Sequence, residues 1–346
     1  MLGFTSLSLA WSTANTGATT AVAGDQLYGL SLVKNPPTRV SLNTVSASTG
    51  NVSLLAADPK PGELFGCSDL VAAVPKHGLF YFLGDTSGGA TLVALNLTTG
   101  AEVCSKVIGL SEVGYVGIGQ TLDYDATMDR LLLSGIDATN KTQHVVYGAP
   151  ADGCGPFTKV GAYGAAGYLP MLHASALDAD GQRLFVTVAP GKNTAAIGII
   201  DLTGAAEMAV VAEGTPDPDD VLVGLHFDAK AKKLVGIVAA QALEFHSLDV
   251  EAQAWETPKP LAGVPSTWNA IGGNSAEVSA FSPSSRSLYF LAGTSDQATG
   301  NVQLDVARVD VDTAAVAAHP PLQHSGLCAA GPSSDCLMAL TVVGEA

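Results

Sequence analysis

The segment His173-Ala-Ser-Ala-Leu-Asp-Ala-Asp-Gly-Gln-Arg-Leu-Phe-Val-Thr-Val188, continued by Ala196-Ile-Gly-Ile-Ile-Asp-Leu-Thr-Gly204 and Glu207-Met-Ala-Val-Val-Ala212, contains one complete structural unit. Asp180-Gly181 is a tight-turn signal between two apolar stretches, and Thr203-Gly204 sits where a second turn is needed. Side chains alternate in Leu184-Phe-Val-Thr-Val188, as in a strand packed on one or both faces. The segment therefore predicts consecutive antiparallel strands.

The same form recurs along the chain. The leucines that open the second strand of each copy are Leu27, Leu79, Leu131, Leu184, Leu234, Leu288 and Leu337, at spacings of 52, 52, 53, 50, 54 and 49 residues. The turns before them agree in kind: Pro75-Lys-His-Gly78, Asp125-Ala-Thr-Met-Asp129, Asp180-Gly181, Asp228-Ala-Lys-Ala-Lys232, Pro283-Ser-Ser285 and Pro332-Ser-Ser-Asp335. Third strands end in Ser48-Thr49-Gly50, Thr98-Thr99-Gly100, Thr203-Gly204 and Asp310-Val-Asp-Thr313. Four short antiparallel strands repeating at this period make a propeller blade, because one twisted sheet cannot bury both faces whereas a ring of them can.

The reading is an all-β, seven-bladed β-propeller of four-stranded antiparallel blades, forming a single domain over 1–346. The blades fall at about 18–60, 64–109, 114–163, 168–213, 218–263, 268–322, and 324–346 together with 1–17. The seventh copy has only one hairpin, Gly326 to Val343, so the strand-like stretch Leu2–Trp11 is expected to complete that blade and close the ring. Two open sheet edges would otherwise remain. Six or eight blades, a β-sandwich and a β-helix stay open. The stretch 229–256 has helix-favouring composition, but Gly236 and its place in the period favour strands.

This organisation resembles the β-propeller superfamily, in particular the loose repeats of the gluconolactonase, NHL and surface-layer types. The Trp-Asp signature of WD repeats is absent, and the kelch double glycine appears only as isolated Gly88-Gly89 and Gly272-Gly273. The resemblance implies that function gathers on the axis, where loops enter the innermost strands.

Composition narrows the function classes. Lys and Arg total 16 against 32 Asp and Glu, a formal charge of −16, which argues against a nucleic-acid partner. Charged residues are 14%, well below the ~25% usual for soluble domains. The 38 Gly and 18 Pro supply too many turns for a helical bundle, and no run of ~18 apolar residues predicts a membrane-spanning helix. GxSxG, HExxH and GxxxxGK[ST] motifs are missing, and Gly117-Ile-Gly119 is only a fragment of GxGxxG.

Residues ahead of the first turn in each copy include Ser68, Asp69, Gln120, Asp123, His173, His226, Glu277 and His324. Asp69, Gln120, His173, Glu277 and His324 form the candidate axial binding ring, and His226 reads as a satisfied buried or channel histidine. Asp69, His173 and Glu277 offer ligands for a divalent cation such as Ca or Zn. A water-filled channel lined by solvated polar residues, without cofactor, is the favoured reading, and the divalent cation is its alternative. Lactonase-type propellers hold an axial metal with carboxylate and amide groups; here Asp69 and Glu277 match that chemistry, and the amide ligands have no clear counterpart.

Five cysteines occur without a CxxC pair. Cys328 with Cys336, and Cys104 with Cys154, are candidate disulfides; buried reduced thiols are the competing reading. Asn51, Asn96 and Asn140 begin N-x-[ST] sequons. These features point to an extracellular or secretory-pathway protein, with a cytoplasmic location as the alternative. The favoured function is a non-catalytic scaffold that binds a protein or glycan partner within an extracellular or multi-component assembly. A metal-dependent hydrolase of lactonase type is the competing class.

Overall fold

The turn at Asp180-Gly181 closes the hairpin its sequence predicts. Leu169–Asp178 pairs antiparallel with Arg183–Gly191, which pairs with Thr194–Asp201, which in turn pairs with Ala209–Glu213. The computed structural model describes residues 25–342 except 26, 34–38, 56–59, 62, 65–69, 87–88, 110–112, 114–120, 138, 192–193, 205–206, 214–220, 240–242, 269, 272–278, 297–300 and 324–335.

Five more sheets repeat this order. The second blade sets Glu63–Leu64 and Val71–Val74 against Leu79–Thr86, followed by Gly89–Asn96 and Glu102–Val107. The third runs Thr121–Asp125, Arg130–Ile136, His144–Pro150 and Thr158–Tyr163. The fifth runs Val221–Asp228, Lys233–Ala239, Leu243–Asp249 and Ala254–Trp255. The sixth sets Ala270–Ile271 and Ser279–Ser282 against Ser287–Asp296, then Asn301–Asp310 and Ala315–Ala318. The first blade combines both ends of the described chain: Cys336–Val342 is its innermost strand, followed by Leu27–Val33, Arg39–Val45 and Val52–Leu54.

The ring therefore has six blades, not the seven the spacing suggests. Leu337 opens no seventh second strand; it lies opposite Ser31 in the inner strand that completes blade one. The six inner strands form a closed circuit, because both Val71–Val74 and Ser279–Ser282 lie against Cys336–Val342. Closure thus uses the C-terminal strand on the inside of an N-terminal sheet. The stretch Leu2–Trp11, expected to close the ring, lies outside the described residues. Lys233–Ala239 and Leu243–Asp249 are strands despite the helix-favouring composition of this stretch, with Gly236 opposite His246. Burial against neighbouring blades overrides local propensity there.

The core consists of layers between blades. Phe80 and Phe82 of blade two share a cluster with Leu27 and Leu30 of blade one, whereas Tyr81 and Leu83 on the opposite face pack with Leu131 and Leu133 of blade three. Tyr81 also donates to the Ala151 carbonyl at 3.0 Å, beside the disulfide Cys104–Cys154 that joins blades two and three. Cys328 lies outside the described residues, and with it the expected Cys328–Cys336 pair.

One turn position locks successive blades together. Gly78, Asp129, Gln182, Lys232 and Arg286 all have φ between 48° and 63°, each two residues before the first core residue of a second strand. Asp25 holds the same place ahead of Leu27. In blades three, four, six and one the side chain at this position reaches back to the preceding blade, whereas Gly78 has none and Lys232 lies over Phe227 of its own blade. Asp129 accepts from Lys76 and His77, Gln182 donates to Asp125, and Arg286 pairs with Asp228 at 2.6 Å. Asp25 accepts from Ser282, Ser284, Ser285 and Tyr289, joining blade one to blade six.

Candidate functional site

The inner strands surround a cavity of about 240 Å³. Strand pairing fixes which side chains occupy equivalent levels. Ala72, Asp123, Ala176, His226 and Ala280 lie opposite Tyr81, Leu132, Phe185, Val235 and Tyr289, one position along from the start of each core stretch. Alanine in blades two, four and six leaves room for the larger polar groups of blades three and five. Each polar group reaches a serine on the next blade: Ser175 Oγ donates to Asp123 Oδ2 at 2.8 Å, and His226 Nε2 lies 2.9 Å from Ser279 Oγ. A polar side chain thus meets a serine of the next blade twice, two blades apart.

Backbone irregularities shape this level. The ladder of blade four skips between Pro170 and Ser175, and that of blade five between Val223 and His226. Bulges of this kind re-aim side chains. Gly224 makes the second one possible: it has φ +74°, and a Cβ there would meet Ser279 Oγ at 1.6 Å. Only glycine allows both the left-handed backbone and the close approach.

Burial separates the charges of the two groups. Asp123 is pushed up to about 6, mainly by desolvation, with the Ser175 and Thr121 hydroxyls pulling in the opposite direction. His226 is pushed down to about 4 by desolvation alone. Both are half-buried and face the cavity. At neutral pH the pair therefore presents one carboxylate and one neutral imidazole. Tyr124 and Phe281 add aromatic walls from blades three and six.

Of the ring expected from sequence, Asp69, Gln120, Glu277 and His324 lie outside the described residues. The backbone of His173 belongs to the strand Leu169–Asp178, and its side chain is outside the description. Asp123 and His226, two further positions from the same alignment, line the cavity. Their partners Ser175 and Ser279 escaped sequence reasoning, although the separations of 52 and 53 residues match the repeat. Among the described residues, no three His, Cys, Asp or Glu side chains gather as a metal-ligand group. Asn51 and Asn140 are exposed, and Asn140 Oδ1 accepts from Thr142 Oγ1 at 2.7 Å. Asn96 is half-buried, and its Oδ1 caps a turn by accepting from the Thr98 and Thr99 N–H groups, a role taken by Asp249 and Asp310 in later blades.

Among the described residues, no helix is long and apolar enough to cross a membrane. No protein-family model matches the chain, and no curated protein matches it in sequence. Similar solved structures share the fold at low identity. TolB from Acinetobacter baumannii is 11% identical with a TM-score of 0.54, over 85% of this chain and 64% of TolB. A puromycin hydrolase is 13% identical with a TM-score of 0.53, over 97% of this chain and 51% of the hydrolase. The periplasmic gluconolactonase PpgL of Pseudomonas aeruginosa is 13% identical with a TM-score of 0.46, over 84% of this chain and 95% of PpgL. The chain spans about half to two-thirds of the length of TolB and the puromycin hydrolase. The six sheets and the closed circuit of inner strands make this a six-bladed β-propeller, a fold with which the likenesses to TolB and the puromycin hydrolase agree without assigning a narrower family.

Proposed function

We propose that the protein is a binding propeller working outside the cytosol, whose axial cavity receives an extended or terminal segment of a protein partner. The observation that carries this reading is the preformed recess itself, with small and aromatic walls and polar arms at one level. At about 240 Å³ it is below the usual range of drug-sized ligand sites, so it suits one or two residues of a peptide. The Cys104–Cys154 disulfide supports an oxidising compartment. One similar structure is named a hydrolase, but a shared fold at this identity does not choose between binding and hydrolysis.

The site favours recognition over hydrolysis. His226 and Ser279 are spaced like a base and a nucleophile, but Ser279 is 3% exposed and its Oγ is packed against the Gly224 backbone. A histidine held near 4 is also a weak base at neutral pH. Selection from a displayed peptide library tests the proposal, using the native chain and Ala73→Trp, which fills the cavity. The expected result is a shared motif that binds the native chain and loses the variant. Peptides that bind both equally, or no enrichment over the variant, would overturn it.

A further inference from the structure

We infer that the axial cavity is a site for an organic cation, with Asp123 as counter-ion and the rings of Tyr124 and Phe281 as walls; this rests on reading the cavity as the binding site. The other aspartates of the inner strands provide the contrast. Asp125, Asp178 and Asp228 sit at the ends of their strands, and each is held by an arginine: Arg130 at 2.9 Å, Arg183 at 2.6 Å and Arg286 at 2.6 Å. Asp123 lies two residues before Asp125, yet its side-chain partners among the described residues are the hydroxyls of Ser175 and Thr121.

An enclosed carboxylate without a cation is unfavourable, and its raised pKa reflects this. No lysine or arginine belongs to the described cavity wall, and His226 is neutral at pH 7. A cation entering the cavity would therefore meet an unmatched negative charge. Aromatic faces attract ammonium and guanidinium groups through the ring quadrupole. Hard metal ions instead need six or more oxygen ligands, whereas the described wall offers one carboxylate and a few hydroxyls. A partner segment presenting a lysine, an arginine or a free amino terminus has the required chemistry.

The test uses the full chain and two probes of similar size, n-butylammonium and neutral 1-pentanol, with calcium chloride as a third. Binding is followed by calorimetry at low ionic strength and pH 7.5. Butylammonium is expected to bind at least about tenfold tighter than pentanol, the effect of one charge-assisted hydrogen bond. Asp123→Asn is expected to abolish that preference while its circular dichroism stays native.

Equal binding of the two probes, a preference retained in Asp123→Asn, or tighter binding of calcium than of butylammonium would overturn the cation assignment. If neither probe binds but selected peptides still require an open cavity at Ala73, the assignment fails and the binding site stands. If Ala73→Trp leaves peptide binding intact as well, both fail.

Discussion

Replacing Asp25 tests the ring seam at one residue. Its carboxylate accepts from Ser282 at 2.7 Å, Tyr289 at 2.8 Å, Ser284 at 3.1 Å and Ser285, all on blade six. Ser282 and Tyr289 are almost fully buried, at 0% and 2% exposure, so Asp25→Ala removes a charged acceptor from two donors that water cannot reach. Hydrogen bonds to charged groups are worth about 1.5–3 kcal/mol each. Ser282 can turn toward Ser284 Oγ, 3.1 Å away, which recovers part of the loss, and deleting the carboxylate relieves its own desolvation. The expected net cost is about 2–4 kcal/mol, and about half that for Asp25→Asn, which keeps an acceptor without the charge. Urea unfolding gives the magnitude. Hydrogen exchange gives the location: protection should fall first in Leu27–Val33 and Cys336–Val342. A change below about 0.5 kcal/mol, or faster exchange spread evenly over the blades, would refute the seam as described.

Three other perturbations address the axis and the staple. Asp123 has its pKa raised in the folded state, so its protonated form stabilises the fold at low pH, and that contribution is lost as pH rises from about 4 through about 6. Asp123→Asn should therefore be about 1–3 kcal/mol more stable than the native chain at pH 7.5 and nearly equal to it at pH 4, as read from unfolding curves at both values. Gly224→Ala should cost roughly 2–4 kcal/mol, since it combines a left-handed backbone with a clash against Ser279, and it should also shift the His226 ring resonances. Cys104→Ser with Cys154→Ser should lower stability by about 2–4 kcal/mol, as should reduction of the native chain; thermal unfolding with and without reductant measures it.

The period was legible in the sequence because each blade repeats the same burial problem. Leu27, Leu131, Leu184, Leu234 and Leu288 do open the core stretch of second strands. Leu79 is one residue out of step: counted from the left-handed turn residue Gly78, its blade-two counterpart is Phe80, which lies opposite Ala73. Both residues are buried on opposite faces, so hydrophobicity alone does not separate them. The blade count failed at Leu337 for a related reason. An inner strand such as Cys336–Val342 is as apolar as a second strand, and nothing local indicates that its partner lies near the other end of the chain.

The site was legible only by position. The repeat alignment placed Asp123 and His226 ahead of the first turns of their copies, but their serine partners depend on how one blade leans on the next. Bulges before Ser175 and His226 decide that contact, and a repeat alignment assumes regular ladders. The arginine partners of Asp125, Asp178 and Asp228 were equally hidden. Two of them, Arg130 and Arg183, come from the same hairpin, whereas Arg286 crosses from the next blade.

A carbon-detected NMR titration of the Asp123 side-chain carboxyl, with and without n-butylammonium, measures the central feature directly. The expected midpoint is about 6 in the free protein, moving down toward the ordinary aspartate range as the cation binds. A midpoint near 4 in the free protein, unmoved by the cation, would mean that Asp123 is well solvated and that the axis holds no unmatched charge.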